Sequence, residues 1–157
     1  MAQTILAARE AAEREGCVTT VGRINVESGG TFVIASAATM WLDCRAEESQ
    51  TVTKVVEDIQ QASETAADKQ GCQVVWTRES WTDRTAFDLR ARMLQILGED
   101  IPQLSTGAGH DAATLATTMP TGMLFVRNPT GASHCPAESA SDADCEAGAE
   151  ALQTVLE

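Results

Sequence analysis

Apolar positions follow two rhythms in the first eighty residues. Ile5, Leu6, Ala8, Ala11 and Ala12 recur among Arg and Glu in residues 2–15, and Gly16 stands where a helix would stop. This predicts a short amphipathic helix. Residues 18–26 are rich in β-branched side chains, and Glu27-Ser28-Gly29-Gly30 supplies turn chemistry before a second extended run over 32–45. The pair predicts a long antiparallel hairpin. Side chains alternate along a strand, so Met40, Leu42 and Cys44 share one face while Trp41, Asp43 and Arg45 share the other.

Val52, Val55, Val56, Ile59 and Ala62 return at helical spacing, with Ser49 or Thr51 as N-cap and Gly71 as terminator after Lys69. Val75, Thr77 and Glu79 then alternate with Val74, Trp76 and Arg78, the pattern of a half-exposed third strand over 73–81. The texture changes after Thr82-Asp83-Arg84. A helix over 87–97, a glycine loop, a short helix after His110, a strand over 123–126 and a last helix over 142–156 follow. Strand and helix now alternate, as in a parallel sheet. The predicted class is mixed α/β (α+β): an antiparallel sheet with two helices in residues 1–82, then part of an α/β domain in 83–157.

Composition narrows the partners. The net charge is -12, from 23 acidic against 11 basic residues, which repels phosphate backbones and anionic membrane surfaces. Neither nucleic acid nor a membrane is expected as a partner. Carboxylates such as Glu47, Glu48, Glu57 and Asp58 read as solvated helix faces. No window approaches the roughly 18 apolar residues of a membrane span. Five cysteines form an odd set without a CxxC pair, and no basic-then-apolar leader opens the chain. Reduced thiols in the cytoplasm are expected.

Candidate chemistry gathers in two glycine-flanked loops that hold both histidines. Gly107-Ala108-Gly109-His110-Asp111-Ala112 is one; Gly131-Ala132-Ser133-His134-Cys135-Pro136-Ala137-Glu138, after the strand at 123–126, is the other. A neutral imidazole just past a strand's carboxyl end is well placed to bind a metal. Trp76 and Trp81 suit core or interface, or else a binding surface.

Six blocks occur in order: Thr20-Val21-Gly22-Arg23-Ile24, Gly29-Gly30-Thr31, Leu42-Asp43-Cys44-Arg45-Ala46, Glu79-Ser80-Trp81, the Gly107 loop and the His134 loop. Together they resemble the allantoate amidohydrolase and N-carbamoyl-L-amino-acid hydrolase family of two-metal amidohydrolases. The resemblance implies the C-terminal part of such an enzyme: a lid and dimerisation domain lacking its first strand, then the end of the catalytic domain. It implies hydrolysis of a linear ureide, with allantoate from purine breakdown ahead of N-carbamoyl amino acids. A noncatalytic dimerisation module is the alternative of another class.

The resemblance also implies the roles. Two divalent ions, Mn or Zn, lower the pKa of a bridging water and polarise the ureido carbonyl, while a glutamate moves the proton. His134 matches a metal ligand. The family's other ligands lie in its N-terminal half, so this chain alone is expected to bind metal weakly or not at all and to be inactive. A separate N-terminal half and a homodimer through the lid are the implied protein partners. Arg45 matches the arginine that grips the substrate carboxylate, a task suited to its rigid two-pronged fork; pairing with Asp43 is the other use. Gly107, Ala108 and Gly109 match a loop whose backbone approaches the substrate. Glu138 is either a partner behind the metal ligand or a helix-leading carboxylate, and His110 with Asp111 reads as a buried hydrogen-bonded pair. Phe32 stands where the family usually has asparagine, and offers the substrate neither donor nor acceptor.

Overall fold

The computed structural model describes residues 1–28, 30–133 and 135–157. They form two compact units, Met1–Arg84 and Thr85–Glu157.

In the first unit, α1 (Ala2–Glu15) ends as its sequence demands. Gly16 adopts a left-handed conformation, φ 65°, and its N–H returns to the Ala12 carbonyl. β1 (Val18–Glu27) and β2 (Ala37–Arg45) form an antiparallel two-stranded sheet. Their register pairs Val21 with Leu42 but Arg23 with Trp41, so Gly22 is the extra residue of a bulge. The bulge resets the alternation. Val21 and Ile24, three apart, now share the face of Leu42 and Met40, while Arg23 joins Trp41 on the other.

α2 (Ser49–Lys69) is longer and packs on α1 and on β2, while α1 packs on β1. Its N-cap is Glu48, with no side-chain cap; Ser49 is the first helical residue, and its hydroxyl donates instead to Asp83 at 3.1 Å. The expected Ser49 or Thr51 cap is corrected accordingly. Ala8 and Ala11 of α1 meet Val55 and Ile59 of α2 in a small core, with Cys17, Leu42, Cys44 and Trp76 packed around it. Alanines on one helix allow close approach, and the branched residues of the other fill the space.

The hairpin is shorter than its sequence suggests. Ser36 N–H bonds the Glu27 carbonyl at 2.9 Å and closes the loop there, so residues 32–36 belong to the loop. The third strand expected over 73–81 joins no ladder among the described residues. Trp76 nonetheless reaches the core, where its indole N–H is buried without an acceptor among the described residues. A ladder needs an adjacent strand to receive its N–H and C=O groups, and the alternating pattern alone does not supply one.

The second unit is helical: α3 (Arg90–Leu97), α4 (Asp111–Leu115) and α5 (Asp142–Leu156). Residues 121–126 run close to both longer helices. A Cβ on Gly122 would collide with the Met93 sulfur and come within 3.2 Å of Leu89 Cβ, and one on Gly148 would lie 2.8 Å from Val126. The strand expected over 123–126 also forms no ladder among the described residues. No helix is long and apolar enough to cross a membrane among the described residues.

Candidate functional site

The outer face of the hairpin carries the first group of candidates. Alternation beyond the bulge brings Arg23, Trp41, Asp43 and Arg45 to one surface. The Arg45 Nε donates to Asp43 Oδ2 at 2.6 Å, both side chains about half exposed. The Arg23 guanidinium stacks 4.3 Å from the Trp41 ring centroid, and the Trp41 indole N–H donates to Glu79 at 3.1 Å. Stacked and hydrogen-bonded in this way, Trp41 is fixed as a rigid wall beside Asp43 and Arg45. The arrangement can present a guanidinium to an incoming carboxylate by exchange for Asp43.

Phe32 lies on the loop joining β1 and β2 and is fully exposed. Its ring has no packing partner among the described residues, because the loop leaves the sheet at Glu27 and rejoins it only at Ala37.

In the second unit, Gly107 takes a left-handed conformation, φ 63°. Thr106 braces the turn: its hydroxyl donates to the Ala108 carbonyl at 2.7 Å and accepts from the Ala108 N–H at 3.3 Å. An L side chain at Gly107 would be strained, so glycine is needed there for conformation. Among the described residues, no atom lies within 4 Å of a Cβ built at Gly107 or Gly109, so conformation and not crowding is the constraint these residues place on Gly107.

His110 caps α4 through its extended backbone, and its ring sits edge-on to Phe125 with centroids 6.4 Å apart. Asp111 opens the helix. Both are exposed, which corrects the buried pair expected at this point: a five-residue helix covers too little to enclose them.

The loop before His134 is tied by side chains. Asn128 Nδ2 donates to the Ala132 carbonyl at 2.7 Å, while its Oδ1 accepts from the Thr130 N–H at 3.2 Å and hydroxyl at 2.8 Å. Gly131 turns left-handed at φ 63°. His134 itself lies outside the described residues. Glu138 follows a turn closed by its N–H to the Cys135 carbonyl at 3.0 Å. It precedes α5 by four positions, so it does not lead that helix. Ser141 and Asp144 do: the Asp144 N–H donates to the Ser141 hydroxyl at 3.2 Å. The Ser141 hydroxyl, then Arg127, hold the Asp144 carboxyl below its ordinary value. Among the described residues, no group of three or more His, Cys, Asp or Glu side chains gathers as a metal site.

Sequence reasoning paired Arg45 with Asp43 and placed Trp41 beside them. It missed Arg23, whose signal was the glycine at position 22, since only a bulge brings Arg23 to Trp41, and it missed Glu79, which reaches the Trp41 indole from outside the ladder with no local signal.

Helices over one face of an antiparallel sheet, followed by a helical unit with glycine-turned loops, define a mixed α/β chain. The model of peptidase family M20/M25/M40 matches residues 47–157, and the chain belongs to that family. It is 34% identical to an N-carbamoyl-L-amino acid amidohydrolase of Geobacillus stearothermophilus over 96% of this chain and 38% of that one. An allantoate deiminase of Arabidopsis thaliana is 29% identical over 89% of this chain and 29% of its own. The crystal structure of AtUAH in complex with (S)-hydroxyglycine superimposes with a TM-score of 0.85 at 24% identity, covering 99% of this chain and 39% of that one. This chain thus spans well under half the length of each.

Proposed function

We propose that this chain is part of a metal-dependent amidohydrolase cleaving the carbamoyl C–N bond of a linear ureide that bears a carboxylate, with allantoate as the leading substrate. Its family membership and the names of its relatives support hydrolysis at a C–N bond. Residues 1–82 serve as lid and dimerisation domain, and 83–157 as the end of a catalytic domain. The single observation that carries the substrate class is Arg45, its guanidinium held at the end of β2 beside Asp43 and half exposed. A carboxylate from solution can replace Asp43 on its fork.

In this reading Gly107, Ala108 and Gly109 let the substrate approach backbone N–H groups, and His134 binds one of two Mn or Zn ions. His110, Asp111 and Glu138 stand around that centre. The described side chains do not by themselves fit a two-metal cage, so the hydrolytic step draws on groups beyond them. Two copies of the lid pair as a homodimer. A reducing compartment such as the cytoplasm suits five free cysteines.

One second reading has its own support. The 34% identity is to a protein named for N-carbamoyl-L-amino acids, and the exposed Phe32 ring suits a substrate with an apolar side chain better than one needing an amide.

Ammonia release with Mn or Zn tests both, using allantoate and an N-carbamoyl amino acid as substrates. The chain is assayed alone and mixed with the N-terminal portion of the Geobacillus relative. No turnover alone and turnover on mixing are expected. In the mixture, Arg45→Lys should raise KM roughly 10- to 100-fold with little change in kcat, as expected for a lost two-pronged contact. Unchanged KM in Arg45→Ala overturns the carboxylate role. Stable self-association without turnover in any mixture would leave a dimerisation module.

A further inference from the structure

Two cysteines lie on the inner face of the hairpin, opposite the face that carries Asp43 and Arg45. Cys17 sits at the joint between α1 and β1, directly after the left-handed Gly16, and its N–H bonds the Ala12 carbonyl at 3.1 Å. Cys44 is the penultimate residue of β2. The register sets Cys44 opposite Thr19, so Cys17, two positions before Thr19, lies diagonally across from Cys44 on the same face. That face is turned to the helices, since the Thr19 hydroxyl donates to the Ala8 carbonyl at 3.0 Å. Both cysteines pack, partly buried, against Ala8, Ala11, Val55 and Ile59.

Diagonal neighbours stand about 7–8 Å apart at Cα with their Cβ atoms closer, slightly wider than the usual disulfide span. Cys17 precedes the ladder and follows a glycine, so the joint can absorb the difference without unzipping the sheet. The two thiols already feel each other. Burial first, then the Cys17 thiol and Asp43, push the Cys44 thiol up to about 11. Cys44 therefore stays protonated at neutral pH, while Cys17 borders an open groove between α1 and β1, beside Ile5, Arg9 and Val18.

We propose that Cys17 and Cys44 are a peroxide-oxidised dithiol, closing to a disulfide that staples the α1–β1 joint to the end of β2. The Cys17 thiolate attacks one oxygen of hydrogen peroxide. An S–O bond forms, the O–O bond breaks, and the departing hydroxide takes up a proton as water. The Cys44 sulfur then attacks the sulfenic Cys17 sulfur. The S–S bond forms, the S–O bond breaks, and the oxygen leaves as a second water carrying the Cys44 proton. Two thiols lose two electrons and one peroxide gains them. The bridge encloses the whole hairpin loop and fixes the strand end next to Arg45.

The test uses the reduced 157-residue chain under native conditions, with dilute hydrogen peroxide, an iodoacetamide quench and peptide mass mapping. One linked peptide pair holding Cys17 and Cys44 is expected, with Cys72, Cys135 and Cys145 still alkylated. The thermal midpoint read by tryptophan fluorescence should rise by roughly 10 °C, because the closed loop restricts the unfolded chain, and dithiothreitol should reverse it. A chain with Cys72, Cys135 and Cys145 all changed to serine should behave alike, and adding Cys17→Ser should abolish both bridge and rise. The proposal is overturned if both thiols remain singly alkylated after peroxide, if Cys17 stops at sulfinic acid, if either thiol links elsewhere, or if the bridge forms without the rise.

Discussion

Both units are built from short amphipathic helices, yet only one of them buries its apolar faces. In the first, α1 and α2 cross over a two-stranded sheet, and Val55 and Ile59 are completely buried. In the second, α3, α4 and α5 bury no residue at all, and Thr121 is the only buried position among the described residues. Leu115, Met119, Phe125, Val126, Leu152 and Leu156 are exposed there. The difference teaches what a helix needs. α1 and α2 close on each other and on the hairpin, whereas among the described elements α3 and α5 pack on each other, with the ribbon at 121–126 beside them and polar contacts from Gln103 and Arg127 at their edges. Most helical stability in proteins comes from tertiary packing of the apolar stripe, so the second unit has little to hold it.

The sharpest break of this comparison is Ile59→Ala. Removing a fully buried side chain from so small a core should cost the first unit about 2–5 kcal/mol. All three tryptophans, Trp41, Trp76 and Trp81, lie in that unit, so denaturant unfolding followed by fluorescence reads it alone. The midpoint should fall steeply while amide exchange in residues 85–157, expected to be fast in the parent chain as well, stays unchanged. Equal loss of protection in both units would mean that they share one core.

A smaller, opposite break is Gly122→Ala. The new methyl would meet the flexible end of Met93 and the stiffer Leu89 Cβ, displacing α3 at about 1–3 kcal/mol. Exchange of the α3 amides should accelerate with no change in the tryptophan midpoint. A silent substitution would show that the α3 contact carries no stability.

What the sequence made legible tracks the same division. The start of α2 lies one to three residues before the expected caps, whereas α1 and the end of α2 were readable because their apolar stripes and terminal glycines are local signals. So was the polar face of Trp41, Asp43 and Arg45, since alternation is local too. The start of β2 was misread because Val33 and Ile34 are β-branched, yet no strand lies across from them to complete a ladder. Residues 73–81 and 123–126 show why alternation is insufficient: pairing is decided by a partner distant in sequence. The bulge at Gly22 had only a glycine to announce it. Among candidate residues, the Arg45–Asp43 contact was one of the two uses expected of Arg45, while the exposure of His110 and Asp111 and the position of Glu138 outside α5 depended on how little α4 and the preceding turn cover.

Acid sets the finest contrast, because among the described residues each unit carries a carboxylate held below its ordinary value. In the first unit the Lys54 ammonium donates to Glu15 at 2.7 Å, and with Arg14 it lowers the Glu15 pKa from 4.5. In the second, Ser141 and Arg127 lower Asp144 from 3.8. These side chains are only 18% and 15% exposed, so salt screens them less than the surrounding pairs. A carboxyl lowered in the folded state contributes stability that is complete above its unfolded value and lost as pH falls through the lowered one. The fluorescence midpoint should therefore decline as the medium is acidified below about pH 4.5, and the helicity of the second unit only further down, below about pH 3.8. Lys54→Met separates them. It removes the chief cause of the Glu15 shift and should flatten the acid dependence of the first unit, leaving the Asp144-linked loss of α5 helicity untouched. An undiminished acid slope in the fluorescence of that variant would place the proton uptake on some other carboxylate, and the α1–α2 ion pair would then contribute nothing to the stability that sets the first unit apart.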